Sequence, residues 1–324
     1  MPGRAGGRWH GPPLGRLRAA IAGLRLGRLP PCLLVGLLVL TACGTGRAAD
    51  SLTLATWNVE NYVGEDRMVE GGYRTGYPKP EAAKAALRAA IREMAPDVLA
   101  LQEMGPEPYL NELQRDLAAE GSPFAHRAWL DGPDPKRHLA VLSRVPLQSV
   151  HLHPKVWHHG TGEPLPVCRG VLEVVLAAPE GGAVSLFLVH LKSRHTSDPR
   201  DPASARQRAG EAEAVRDLVL KRFPDPATAR FLIVGDCNDS PSSRPLRALL
   251  ARGGRRIAVL MDSPDADGDL WTHCYRKHAT YSRVDYILPS PALQRAVRRM
   301  WIHDSPAVRA ASDHRPVLVR FARE

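Results

Sequence analysis

Six short segments of this 324-residue chain carry side chains able to bind a metal ion or move a proton. Asn58 and Glu60 lie in TWNVEN, Glu103 closes LQE, and His190 opens HLKS. Asp236 and Asn238 lie in GDCND, Asp285 in SRVDYIL, and Asp313 with His314 in SDHRPV. A single carboxylate or amide of this kind is ordinarily a helix cap or a turn former. Together they offer hard oxygen ligands, an Asp/Asn pair two residues apart and an adjacent Asp–His pair, without any thiolate. An oxygen-rich set suits Mg²⁺, with Mn²⁺ as the other candidate.

These residues follow or precede apolar runs that read as strands: 52–58, 98–101, 139–142, 170–176, 184–191, 231–234, 284–288 and 317–321. Helical spacing of Ala, Leu and Ile, begun by or just after a proline, predicts helices over 80–94, 109–120 and 203–223. Strands alternating with helices, with some strands consecutive, predict one α/β or α+β domain with mixed sheets and helices on the outer faces. The stretches 151–166 and 262–269 read as loops. Polar residues at strand ends are where a packed scaffold presents chemistry to solvent.

The ordered series TWNVEN, LQE, HLKS, GDCND, SRVDYIL and SDHRPV resembles the endonuclease/exonuclease/phosphatase superfamily, and the resemblance covers essentially Ser51 to Arg323. It implies a four-layer α/β sandwich of the deoxyribonuclease I-like kind, two mixed β-sheets flanked by helices, with the site at one end. It also implies that Asn58, Glu103 and Asp313 serve the metal, with Glu60 close by. Asp236 would orient or deprotonate water, Asn238 would hold that geometry or the phosphate, Asp285 would orient His314, and His190 would contact the phosphate. Arg169, in CRGVLEV, would add a cationic clamp. The implied activity is metal-assisted hydrolysis of a phosphodiester, in the first place of nucleic acid. A phospholipid, sphingomyelin or sugar-phosphate head group is the alternative substrate, and a non-catalytic binding protein on the same fold is the alternative of a different class. Two features depart from the family pattern: Cys237 stands where an apolar residue is usual, and Glu60 where some members have Asp.

Composition narrows the partners less than it first suggests. The net charge is +10, but six arginines fall in the first 42 residues, which hold no acid, so the remainder carries only +4. That opening runs into CLLVGLLVLTA and then Cys43. The apolar run is too short to span a bilayer and fits a signal-peptide core over residues 1–42. Its end resembles a bacterial lipobox, which would make Cys43 the lipidated first residue, 43–50 a tether, 51–324 the domain, and the chain an exported, membrane-anchored monomer. An ordinary signal peptide with Cys43 incidental is the plainer alternative. Cys168, Cys237 and Cys274 show no CxxC spacing, so neither a zinc site nor a disulfide framework is implied, although one pair could oxidise. The acidic run at 265–269 lacks the Gly and Glu positions of a calcium loop. His151, His153, His158 and His159 read as surface residues, and Arg206, Arg208, Arg216 and Arg222 as a solvated helix face.

Overall fold

The computed structural model describes residues 51–177, 182–196 and 198–322; the expected leader, Cys43 and its tether lie outside them. Eleven strands form the two main sheets: β1 (Ser51–Tyr62), β2 (Val98–Met104), β3 (His126–Leu130), β4 (His138–Ser143), β5 (Leu147–His153), β6 (Val171–Ala177), β7 (Ala183–His190), β8 (Phe231–Asp236), β9 (Asp285–Pro289), β10 (Val297–Ile302) and β11 (Val317–Ala322). The first sheet runs β10-β11-β1-β2-β4-β3 and the second β9-β8-β7-β6-β5. Each is mixed: β1 is parallel to β2 and β7 to β8, while β11 and β9 run antiparallel to β1 and β8. Helices α1 (Glu81–Met94), α2 (Glu107–Ala119), α3 (Ala205–Arg222), α4 (Arg244–Leu250), α5 (Pro291–Gln294) and α6 (Pro306–Ala311) complete the frame.

Three apolar layers hold the sandwich together. Leu52, Leu54, Val98 and Val141 meet Leu172, Leu186, Leu188 and Val234 between the sheets. The opposite faces of the first sheet's strands, with Trp57, Leu99 and Leu101, pack under α1, α2 and α6. Phe187, Phe231 and Ile233 do the same under α3 and α4. The four-layer sandwich implied by the sequence is therefore the observed fold. The burial that builds it follows local pattern: in α1, Leu87, Ala90, Ile91 and Met94 fall on one face at the 3.6-residue period. Fully burying a leucine of this kind is worth roughly 1.5–3 kcal/mol. That helix opens with Glu81 in its first turn and stops at Ala95, which takes the left-handed conformation just before Pro96.

Several expectations change. The loop expected over 151–166 begins inside β5, and a two-residue bridge pairs Trp157–His158 with Leu165–Pro166. His158 is buried against α3 rather than exposed, and Gly210 makes the room: a Cβ there would lie 2.7 Å from His158 Nδ1. Arg208 also leaves the solvated face, because Asp239 and the carbonyls of Lys192 and Ala203 take its guanidinium into the interior. Cys237 packs in the layer under α3 and α4, and the three described cysteines are free thiols. No described helix is long and apolar enough to cross a membrane.

Candidate active site

The site is an extension of the strand alternation. Side chains of a strand point alternately to its two faces. Leu52 and Leu54 face the inter-sheet core, so Thr56 and Asn58 share that face farther along β1. By the same parity His190 follows Leu186 and Leu188, Asp236 follows Leu232 and Val234, and Asp285 precedes Ile287. The inter-sheet layer thus changes from apolar to polar at the end where β1, β2, β7 and β8 finish and β9 and β11 begin. Both sheets contribute, and Asn58 Nδ2 donates across the gap to Asp236 Oδ2 at 3.0 Å.

At the end of β1 the alternation is broken. Register against β2 shifts between Asn58 and Tyr62, and Glu60 and Asn61 there take positive φ values of 47° and 53°. Glu103 (63°) and Asn238 (53°) do so as well. Non-glycine residues rarely occupy this region, at a cost of about 1–3 kcal/mol each, and such residues concentrate at functional sites. One local and two long-range hydrogen bonds hold the turn: Glu60 N donates to Asn58 Oδ1, Asn61 N to Glu103 Oε2, and Asp313 N to Glu60 Oε2.

Asp236 and His314 form the centre. Asp236 accepts from Asn238 N at 2.8 Å in addition to Asn58, and burial together with neighbouring Asp285 pushes its carboxyl up to about 7. Burial opposes a charge on His314, yet Asp285, Asp236 and Asp313 outweigh it and hold the imidazole well above its ordinary value. Asp285 Oδ2 lies 2.9 Å from His314 Nδ1. That bond fixes the ring, leaving Nε2 4.0 Å from both Asp236 Oδ2 and Asp313 Oδ1. His190 is the opposite case: burial and the charge of Arg169 drive it well below the ordinary range. Its Nε2 lies 3.5 Å from Asp236 Oδ2 and 4.0 Å from Glu103 Oε1.

Burial and Asp313 raise the Glu60 carboxyl, and the cations that reach it are Lys79 (4.0 Å) and Arg276 (3.5 Å). Asp285 Oδ1 is buried without a hydrogen-bond partner. Ligand atoms of Asp236, Asp285 and His314, and separately of His273, Asp313 and His314, lie within 4.8 Å of one another. Arg169 is held through Nε by Asp134 at 3.1 Å and through Nη1 by the Leu191 carbonyl, so it supports His190 as a buried charge.

The polar residues named in the six motifs, with Arg169, therefore lie in or beside one cluster, while Cys43 is outside the described residues. Others carried no sequence signal because their contacts are tertiary. Arg137 reaches Asn61 Oδ1 at 2.8 Å and Glu65 at 3.0 Å. Glu211 of α3, fully buried, accepts from the backbone of Cys168 and Lys192 and so fixes the turns that carry Arg169 and follow His190. The His273 ring lies over that of His314, with centroids 4.5 Å apart.

Comparison with known proteins agrees with this frame. No curated protein matches the chain by sequence. Among solved structures, the human Nocturnin catalytic domain is 17% identical, with 85% of this chain and 95% of that one covered at a TM-score of 0.59. Sphingomyelinase C from Streptomyces griseocarneus is 18% identical over 84% and 99%, at 0.57. An endonuclease/exonuclease/phosphatase from Bacteroides vulgatus is 13% identical over 85% and 99%, at 0.57. At these identities the likeness is one of fold. The profile of the Endonuclease/Exonuclease/phosphatase family matches residues 55–314, from the middle of β1 to His314 itself, and the chain belongs to that family of phosphoesterases.

Proposed function

We propose that this protein is an exported, divalent-metal-dependent phosphodiesterase acting on nucleic acid. The observation that carries the catalytic part is the pairing of a buried carboxylate poised near neutrality, Asp236, with a charged imidazole locked by Asp285, His314. Ionised Asp236, held by Asn58 and the Asn238 amide, takes the proton of an attacking water as its oxygen bonds to phosphorus and the P–O bond to the leaving group breaks, the departing oxygen gaining a proton from solvent. The Nε2–H of His314 faces the space beside Asp236 and donates to a phosphoryl oxygen there, and neutral His190 donates from its own Nε2.

The residues fit a hard divalent cation: Asn58, Glu103 and Asp313 offer oxygens, and Glu60 and Asp313 crowd like charge together. Asn58, Glu103 and Asp313 would hold it. When bound, such an ion neutralises charge on the phosphoryl group.

Nucleic acid is separated from a lipid head group by salt. Turnover of plasmid DNA with Mg²⁺ or Mn²⁺, abolished by EDTA and weakened steeply by added salt, is the expected result. Preference for a choline phospholipid with a near-flat salt response would replace the substrate while keeping the chemistry. Silence on both, and on a chromogenic phosphodiester, would favour a binding protein. Export rests on the segment ending at Cys43. A Cys43→Ala chain should lose its lipid and leave the membrane fraction; retention there would remove the anchor from the account.

A further inference from the structure

Beside Asp313 lies a cleft of about 610 Å³ whose other lining residues take no part in the proposed hydrolysis. One wall is the hairpin pairing His273–Tyr275 with Thr280–Ser282, which joins the site through a β-bridge between His273 and His314. Trp271, Tyr281, Arg276, Arg309 and Arg315 line the cleft together with Asp313. Part of this lining is fixed. Arg315 is bound by Asp265 and Asp304 and lies over the Trp271 ring at 3.3 Å, and Arg309 is held by Asp304. Tyr281 meets Trp271 edge-on at 4.8 Å and remains 57% exposed. Arg276 lies between the cleft and Glu60, with more than half of its side chain in solvent, and Lys277 beside it is exposed.

We propose that this cleft binds the nucleoside and phosphate adjoining the scissile bond, with a base against Tyr281 and a flanking phosphate at Arg276. The inference rests on the proposed phosphodiesterase reading and makes its substrate a nucleic-acid strand. The volume falls within the range of small-ligand sites. An exposed aromatic ring interleaved with cations is the composition that stacks bases and tracks a phosphate backbone. Here it is the run Tyr275-Arg276-Lys277-His278 followed by Tyr281, carried by the hairpin and not by α3.

The test is fluorescence anisotropy of a labelled, phosphorothioate-linked oligothymidylate with the purified protein and Mg²⁺. Tyr281→Ala should weaken binding on the order of tenfold, while Tyr281→Phe retains it. Arg276→Gln should reduce the logarithmic salt slope by about one. Tyr73→Ala, an exposed tyrosine on a different hairpin, should bind as the wild type does. Undiminished binding by Tyr281→Ala, or displacement by phosphocholine as effective as by thymidylate, would overturn the proposal. Hydrolysis of a chromogenic phosphodiester alongside Tyr281-independent binding refutes the cleft alone. Tyr281-dependent binding without hydrolysis of any phosphodiester refutes the catalytic reading and leaves the cleft standing.

Discussion

At Asp236 the role proposed for an ionised carboxylate works against the stability of the fold. Its carboxyl is buried beside Asp285, so its folded-state value of about 7 lies above the ordinary 3.8. A raised folded value means the metal-free protein is penalised for ionising this group. The associated stability is complete below pH 4 and is lost as pH rises to about 7. Asp236→Asn keeps the shape without the charge. Its Tm in EDTA should exceed that of the wild type by several degrees at pH 8, with the gap closing toward pH 5. A gap independent of pH in calorimetry would show that the carboxylate is not under this strain. At this scale the site was largely legible, because Asn58, Asp236 and His314 are polar where strand patterns end. Arg137, Glu211 and His273 were not, since each acts through partners tens of residues away.

Strands carry that precision. Gly235 shows how little slack exists: its φ is +129°, and a Cβ there would lie 2.0 Å from the Val189 carbonyl oxygen on the neighbouring strand β7. Because that oxygen is backbone, it cannot swing aside, and β7 and β8 carry His190 and Asp236 one residue farther on. Gly235→Ala should therefore cost on the order of 3 kcal/mol or more, lowering Tm by about 10 °C, with activity reduced even in the folded fraction. Thermal unfolding by circular dichroism checks this; an unchanged Tm would mean the strands separate freely. Central strands were readable as apolar runs buried on both faces. Edge strands β3, β5 and β10 were missed because one face is solvated and polar, as in LQSVHLH of β5, where exposed and half-buried residues alternate. The short helices α4 and α6 gave too few turns for a period, although Ser243 and Ser305 cap them.

Across the whole molecule, two sheets packed face to face bring one polar end of each into register. Residues 178 positions apart, Asn58 and Asp236, become hydrogen-bonded partners. The fold class was legible because strand and helix patterns alternate along the sequence, and the ordered motifs gave the family. What surrounds the site was not legible: the cleft arises where the hairpin near Tyr281 meets α6 and the turn holding Trp271. The +4 charge of the chain outside its first 42 residues is modest, so the proposed binding of a nucleic-acid strand would rest on local placement of cations and not on the overall field. The proposed chemistry is hydrolysis of a phosphodiester by Asp236 and His314 with a divalent ion. Its most direct test is the steady-state hydrolysis of bis(p-nitrophenyl) phosphate by the wild type and by Asp236→Ala and His314→Ala, each with Mg²⁺ and with EDTA. Mg²⁺-dependent turnover by the wild type and a fall of roughly 10²–10⁴-fold in each variant are expected; wild-type rates in either variant, or turnover indifferent to EDTA, would refute this chemistry.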